Sequence, residues 1–459
     1  GVILVSGVGV SLLWPFEFPH DPQASLPSEE LDSLPDLEVV EPEETDNSPD
    51  IAPNDPAEED IEIPDDLAAT LVRIESEVIE IRGLAQTTSV EKTFISESEL
   101  EDIVKDDFFS EYDDDEAKQD VLVLEALGLL PPGYDLKSLY LDLYSEQIAG
   151  FYDDEIEEIY VVQGAEFGAS QKLTYSHEFT HVLQDQVYDL ENGLGMNEEA
   201  CEADTERCAA IQALVEGDAS YTEVLWFQEY ATRKDYLDVM TTFDEMESPI
   251  LDAAPPFMAS DLYFPYEYGY SFVSYLFEQD GYDSVDQAYL NPPVSTEQIL
   301  HPEKYPNDIP VEVPLPDFSD VLGDGWELFD ENVMGEWYTY LILNQAYDEN
   351  YQLSEQKALE AAEGWGGDTY LVYINEDSDE LVFVMESIWD SPDDAGEFAE
   401  AFEDYANARW GESGGEIEGH TTWQDENRSV LFERALDHTL WIMAPNDALL
   451  TAVLSEIEW

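Results

Sequence analysis

The sequence predicts an α+β protein in two unequal parts. A mainly helical region with a small β-hairpin sheet covers residues 66–315, and a smaller α+β domain follows over residues 316–459. Apolar residues recur at three- and four-residue steps through most of the first part, the period of a helix with one buried face. Past Pro316, strand-like runs come in pairs separated by single helical stretches. Hydrophobic residues make up 44% and aromatics 12% of the 459 residues, enough to build the cores of two or three domains.

The formal net charge is −94, from 109 acids against 15 bases. A disordered acidic chain lacks the 20 Phe, 26 Tyr and 10 Trp found here. Acids this dense tolerate their own repulsion only where salt is abundant, because molar salt shortens the screening length to ~3 Å. The composition is that of a halophilic protein, pointing to an archaeon living in brine. It excludes nucleic acid as a partner, and anionic lipid headgroups are repelled.

Residues 1–16, GVILVSGVGVSLLWPF, are apolar and uncharged. They fall short of the ~20 residues that span a bilayer, and read as the end of a signal peptide or signal anchor. Residues 17–65 are acidic, rich in proline and without periodicity, an extended linker. An anchor followed by a tether predicts an extracellular, cell-surface location. Leu67, Leu71, Ile74, Val78 and Ile81 then mark a helix ending at Gly83. A second helix over about 115–127 stops at Gly128, Pro131-Pro132-Gly133 turns the chain, and Leu136–Ile148 is a third. These helices form either a lobe of the following domain or a removable propeptide.

Residues 149–163 predict a hairpin with strands at 150–153 and 158–162. Residues 171–188 follow, QKLTYSHEFTHVLQDQVY, containing His177-Glu178-Phe179-Thr180-His181. Positions i and i+4 share a helix face, so both histidines can meet one cation, with Glu178 beside them to take a proton. Phe179, Val182, Leu183 and Val187 form an apolar stripe opposite, which leaves the histidine face to look into a cleft. A chance pattern on a buried helix is the competing reading. The next helix, 209–223, places Ala209, Ala213, Glu216, Ser220 and Glu223 on one face, and Glu216 offers a third ligand. Two His and one Glu leave a fourth position open, the arrangement of a catalytic zinc site.

These residues resemble the gluzincin metallopeptidases, the thermolysin-like group, over about residues 147–223. The resemblance implies a zincin-like fold for residues 66–315, a Zn2+ cofactor held by His177, His181 and Glu216, Glu178 as general base, and a peptide or protein substrate. It further implies that the strand before the zinc helix lies along the substrate and pairs with it. Here 34 residues separate His181 from Glu216, a longer link than in the thermolysin-like enzymes, so Asp204, Asp218 and Glu223 stand as rival third ligands. The oxyanion-stabilising Tyr or His of those enzymes has candidates in His301, Tyr268 and Tyr270, each of which also reads as a packed aromatic or a turn histidine. Taken with the hairpin, HEFTHVLQDQ, LVEGDA and STEQILHPEKY resemble a set of haloarchaeal surface proteins with zincin-like cores.

Cys201 and Cys208 flank EADTER, and an extracellular setting favours a disulfide between them. On one regular helix they would stand ~10 Å apart, so a bridge predicts Cys201 in a loop before the helix. Residues 224–245 continue as an aromatic-rich helix, another spans about 266–279, and Ser295-Thr296 caps a short helix before His301. In the C-terminal part, DTYLVYIN with ELVFVMESIW and RSVLFERA with HTLWIMA predict two hairpins, each followed by a helix, in a ferredoxin-like arrangement. The Gly364-Trp365-Gly366-Gly367-Asp368 turn lacks the lysine of a phosphate loop. His420 and His438 lack ligand spacing, and Asp113-Asp114-Asp115 lacks that of an EF-hand. The expected function is that of an extracellular, membrane-tethered zinc metallopeptidase. The alternatives are a non-catalytic surface protein that retains the scaffold, and metal-dependent hydrolysis of a non-peptide bond.

Overall fold

The computed structural model describes residues 9–12 and 64–457, apart from 104, 106–111, 113, 155, 163–166, 246–247, 376, 418–419 and 426. The expected linker, to residue 63, lies outside the described residues, as does all of the expected anchor except residues 9–12. Among the described residues no helix is long and apolar enough to cross a membrane. The chain runs β1 (Gly9–Leu12), α1 (Asp65–Arg82), β2 (Glu91–Ile95), α2 (Glu97–Ile103), α3 (Asp114–Leu127), α4 (Leu136–Gln147), β3 (Ile148–Asp153) and β4 (Glu158–Val162). It continues through α5 (Ala169–Tyr188), α6 (Glu198–Ala203), α7 (Thr205–Tyr230), α8 (Arg233–Glu245), α9 (Pro249–Ala253), α10 (Pro256–Asp280), α11 (Tyr282–Leu290) and α12 (Thr296–Leu300). The C-terminal part holds α13 (Ser319–Leu322), β5 (Trp326–Asn332), α14 (Gly335–Asn344), α15 (Glu355–Ala362), β6 (Trp365–Asn375), β7 (Glu380–Trp389), α16 (Pro392–Trp410), β8 (Gly415–Ile417), β9 (His420–Gln424), β10 (Ser429–Ala435), β11 (His438–Ala444) and α17 (Asp447–Leu454). The fold is mixed α+β.

Local chemistry explains the helix ends. Gly83 closes α1 at φ +80°, its N–H bonded back to Ile79 O, a conformation glycine reaches without a Cβ clash. The helix expected over 224–245 is two helices. Thr232 Oγ1 accepts from the Asp235 N–H while Asp235 accepts from the Thr232 N–H, a reciprocal cap that starts a new helix. The helix expected at 266–279 begins ten residues earlier, with Pro256 in its first turn. It carries Pro265 in its interior at the cost of a backbone hydrogen bond, and Phe257, Phe264 and Phe272 are buried on both sides of the break.

The expected hairpin is the centre of a four-stranded sheet, in order β1-β3-β4-β2. β3 and β4 are antiparallel with Gly150 opposite Val161, β2 runs parallel to β4, and β1 runs antiparallel to β3. This sheet packs beneath α5, and Leu71, Ile74, Val78, Val161, Phe179, Val182 and Leu183 close the core between them. The C-terminal sheet is not ferredoxin-like. It has seven antiparallel strands in order β5-β6-β7-β11-β10-β9-β8, because α16 carries the chain across so that β11 returns beside β7. Alternation along β7 divides its residues between two cores. Val382 and Val384 meet α17 on one face. Phe383 and Met385 join a continuous apolar core that includes Ile211, Leu214, Phe264 and Phe272 of the helical part and Trp337 and Leu341 of α14. The Gly364–Asp368 segment has a structural role, with the Asp368 carboxylate accepting from Met334 N, Gly335 N and Trp365 Nε1.

One crossing positions the site. α7 and α10 touch backbone to backbone at Gly217 and Gly269: a Cβ on Gly217 would lie 2.2 Å from Gly269 O, and one on Gly269 would lie 2.1 Å from Ala213 O. Neither gap can be opened by rotating a side chain. Gly217→Ala and Gly269→Ala are each expected to lower stability by about 1–3 kcal/mol or more through overpacking, measured as denaturant midpoints in high salt. Unchanged midpoints would show that the two helices can separate freely.

Candidate metal centre

α5 is capped by Gly168, whose N–H donates to the Gln171 side chain, and the helix is buried on all sides from Leu173 to Gln184. The expected cleft is closed: His177 is 2% exposed, Glu178 and His181 are 0%, and Glu216 is 2%. The apolar stripe holds for Phe179, Val182 and Leu183, but Val187 is 43% exposed because it falls in the last turn. α7 is buried over most of its length and brings Glu216 against the two histidines.

His177, His181 and Glu216 form one group of potential ligand atoms. His177 Nε2 lies 3.1 Å from Glu216 Oε2, and His181 Nε2 lies 3.4 Å from the same oxygen. Donors ~2.0–2.1 Å from one tetrahedral ion stand roughly 3.3 Å apart, so the spacing fits zinc. Two further observations support the fit. His181 Nε2 and both Glu178 carboxylate oxygens are buried without a hydrogen-bond partner, a costly state unless a cation or a reacting group uses them. The set of two imidazoles and one carboxylate is also one that zinc accepts.

Each rival third ligand has another partner. Asp204 caps α7 by accepting from Arg207 N, Asp218 pairs with buried Arg82, and Glu223 accepts from His177 Nδ1 at 3.2 Å. That last contact turns His177 Nε2 toward Glu216. Burial opposes charge on His177, but its hydrogen bonds to Glu216 and Glu223 outweigh burial and raise it to about 10. Burial also pushes Glu216 up, yet attraction to His181 and the hydrogen bond with His177 prevail and hold it at about 2. Burial raises the Glu178 carboxyl to about 7, against the opposing pull of both histidines, in the range suited to moving protons near neutral pH.

The three oxyanion candidates each make other contacts. His301 pairs with Glu336 at 2.8 Å. Tyr268 packs on Phe264 and Trp337, and Tyr270 on Tyr221. The aromatic residue that does arrive is Tyr266. Its ring centroid is 6.2 Å from that of His177 and its hydroxyl is hydrogen-bonded to Glu216. Burial, with Glu216 and Glu178 nearby, raises its hydroxyl pKa well above the usual value, so it is a donor. The signal for Tyr266 lay in its spacing from Gly269, since residues i and i+3 share a face and that glycine faces α7.

Neither strand of the hairpin is a sheet edge. β3 lies between β1 and β4, and β4 between β3 and β2, so the expected pairing of substrate with an open strand has no free backbone there. Cys201 and Cys208 form a disulfide with Cα atoms 5.2 Å apart. Cys201 lies on the separate short helix α6 and not in a loop; Asp204 breaks the chain between the two helices. The remaining acidic group, Glu297, Asp308 and Asp390, is met by Lys304, whose Nζ is 2.5 Å from Glu297 and 3.1 Å from Asp390. His420 and His438 pair with Glu433 and Glu386 within the C-terminal sheet.

A family profile described as a domain of unknown function (DUF8575) matches residues 327–454, from β5 to α17. The matched part contains none of the metal-group residues. No curated protein and no solved structure matches the chain.

Proposed function

We propose that this protein is a zinc-dependent peptidase with a zincin-like core, held at the cell surface of a halophile. The observation that carries the reading is the convergence of His177 Nε2, His181 Nε2 and a Glu216 oxygen, with the unpartnered Glu178 carboxylate next in sequence to His177. A zinc ion held by the three ligands supplies Lewis acidity to a carbonyl and lowers the pKa of a water. The chain's own residues divide the remaining work. Glu178 takes a proton from the attacking water at its carboxylate and returns it to the leaving amine nitrogen. Tyr266, whose hydroxyl donates to Glu216, steadies that ligand and lies next to the group where an oxyanion would develop. Burial excludes bulk water, which strengthens each of these interactions.

The same burial favours a second reading, a surface protein that retains the group without turnover, since no ligand side chain is open to solvent. Metal analysis is the first test. Purified in high salt, the wild type is expected to carry about one zinc per chain. His181→Ala should lose it, and Glu216→Ala should bind it far more weakly. Full occupancy in Glu216→Ala would remove that residue from the ligand set.

A further inference from the structure

His181 has an outer partner whose hydrogen bonds have a defined direction. Gln184, one turn along α5, places Nε2 3.0 Å from Val215 O and 3.0 Å from an Asp218 oxygen, and Oε1 2.8 Å from His181 Nδ1. Val215 O and the Asp218 carboxylate can only accept, so the amide nitrogen of Gln184 must face them and its oxygen must face the imidazole. That oxygen can only accept in turn, so His181 Nδ1 carries a proton and Nε2 is the nitrogen turned toward Glu216. Nε2 is the atom left without a partner beside Glu216.

The chain of constraint starts further out. Asp218 is fully buried, and its counter-charge is Arg82 at the end of α1, with Nε 2.8 Å from one carboxylate oxygen and 2.9 Å from the other. Tyr289 also donates to Asp218 at 2.8 Å. Arg82 is itself fixed by Asp286 at 2.7 Å and by the Tyr282 ring beneath it, 4.5 Å from the guanidinium. A neutral amide at position 218 could present either a donor or an acceptor to Gln184, leaving Val215 O as the one remaining accept-only partner and the orientation less firmly set.

We infer that Arg82 is a positioning residue of the metal group: through Asp218 and Gln184 it holds His181 in the Nδ1–H tautomer, with Nε2 free for an ion. The zinc part of this statement rests on the metallopeptidase reading, whereas the tautomer part does not. α1 thereby belongs to the finished site and is not a removable prosegment.

The test uses the full chain in molar salt, with 15N-labelled histidine, stripped of metal. Long-range proton–nitrogen correlation reads the tautomer of His181, assigned by loss of its signal in His181→Gln. Chelator competition then gives zinc affinity. Wild type should show His181 as Nδ1–H. Arg82→Gln and Gln184→Met should each give mixed tautomers and bind zinc about 10- to 100-fold more weakly. Arg82→Lys, which keeps the charge, should restore the tautomer and most of the affinity. If Arg82→Gln does not fold, Arg82→Gln/Asp218→Asn, which leaves no buried charge unpaired, is read in its place with the same expectation. A folded variant lacking the Arg82 charge, or Gln184→Met, that retains both wild-type tautomer and affinity overturns the inference. Wild type that binds no zinc sinks the metallopeptidase reading instead, and the tautomer signal still decides the relay.

Discussion

Glu178→Gln should retain zinc, melt with the wild type and lose turnover by at least ~10²-fold. The substitution keeps the size of a fully buried side chain and removes the carboxylate proposed to accept the water's proton. Both oxygens of the carboxylate are buried and make no hydrogen bond, so the amide leaves no former partner stranded. The measurement is hydrolysis of a mixed peptide library in concentrated salt, with zinc content determined on the same samples. Zinc-loaded wild type that cleaves nothing beyond what Glu178→Gln cleaves would favour the scaffold reading.

Dialysis of molar KCl to millimolar should unfold the protein, seen as loss of far-UV circular dichroism and recovered when salt returns. With 109 acids and 15 bases, most carboxylates find no cation on the protein. The bases that exist are often shared, as Lys304 is among Glu297, Asp308 and Asp390. Solvent ions must screen the rest, and diluting them lengthens the range of repulsion, which raises the energy of the compact state more than that of the expanded one. A cooperative fold that persists unchanged in millimolar salt would contradict the halophile reading.

What could be read from the sequence was local. The stop of α1 at Gly83 and the Ser295 cap of α12, which accepts from Gln298 N, are written in neighbouring residues. So is the i, i+4 pair His177 and His181, whose spacing alone brings two rings to one side of a helix. What escaped depended on partners distant in the chain. β2 is five residues long and pairs with β4, so its sequence carried no hairpin signal. Tyr266 could be separated from Tyr268 and Tyr270 only by knowing which face of α10 meets α7. Asp218 looked like a rival ligand until Arg82, 136 residues away, was found beside it. The seven-stranded sheet was missed for the same reason: both hairpins were legible, but the neighbour of each was set by α16.

The contact of α7 with α10 at Gly217 and Gly269 has a kinematic consequence. Two helices whose backbones touch cannot slide past one another without lifting apart; they can only rock about the point of contact. Atoms near that pivot travel least. Glu216 is next to it on one helix, and Tyr266 stands one turn from it on the other, so the spacing between this carboxylate and this hydroxyl persists through slow breathing of the molecule. Any opening that admits a molecule to Glu178 must therefore come from elements other than this pair, while the pair serves as the fixed frame against which they move.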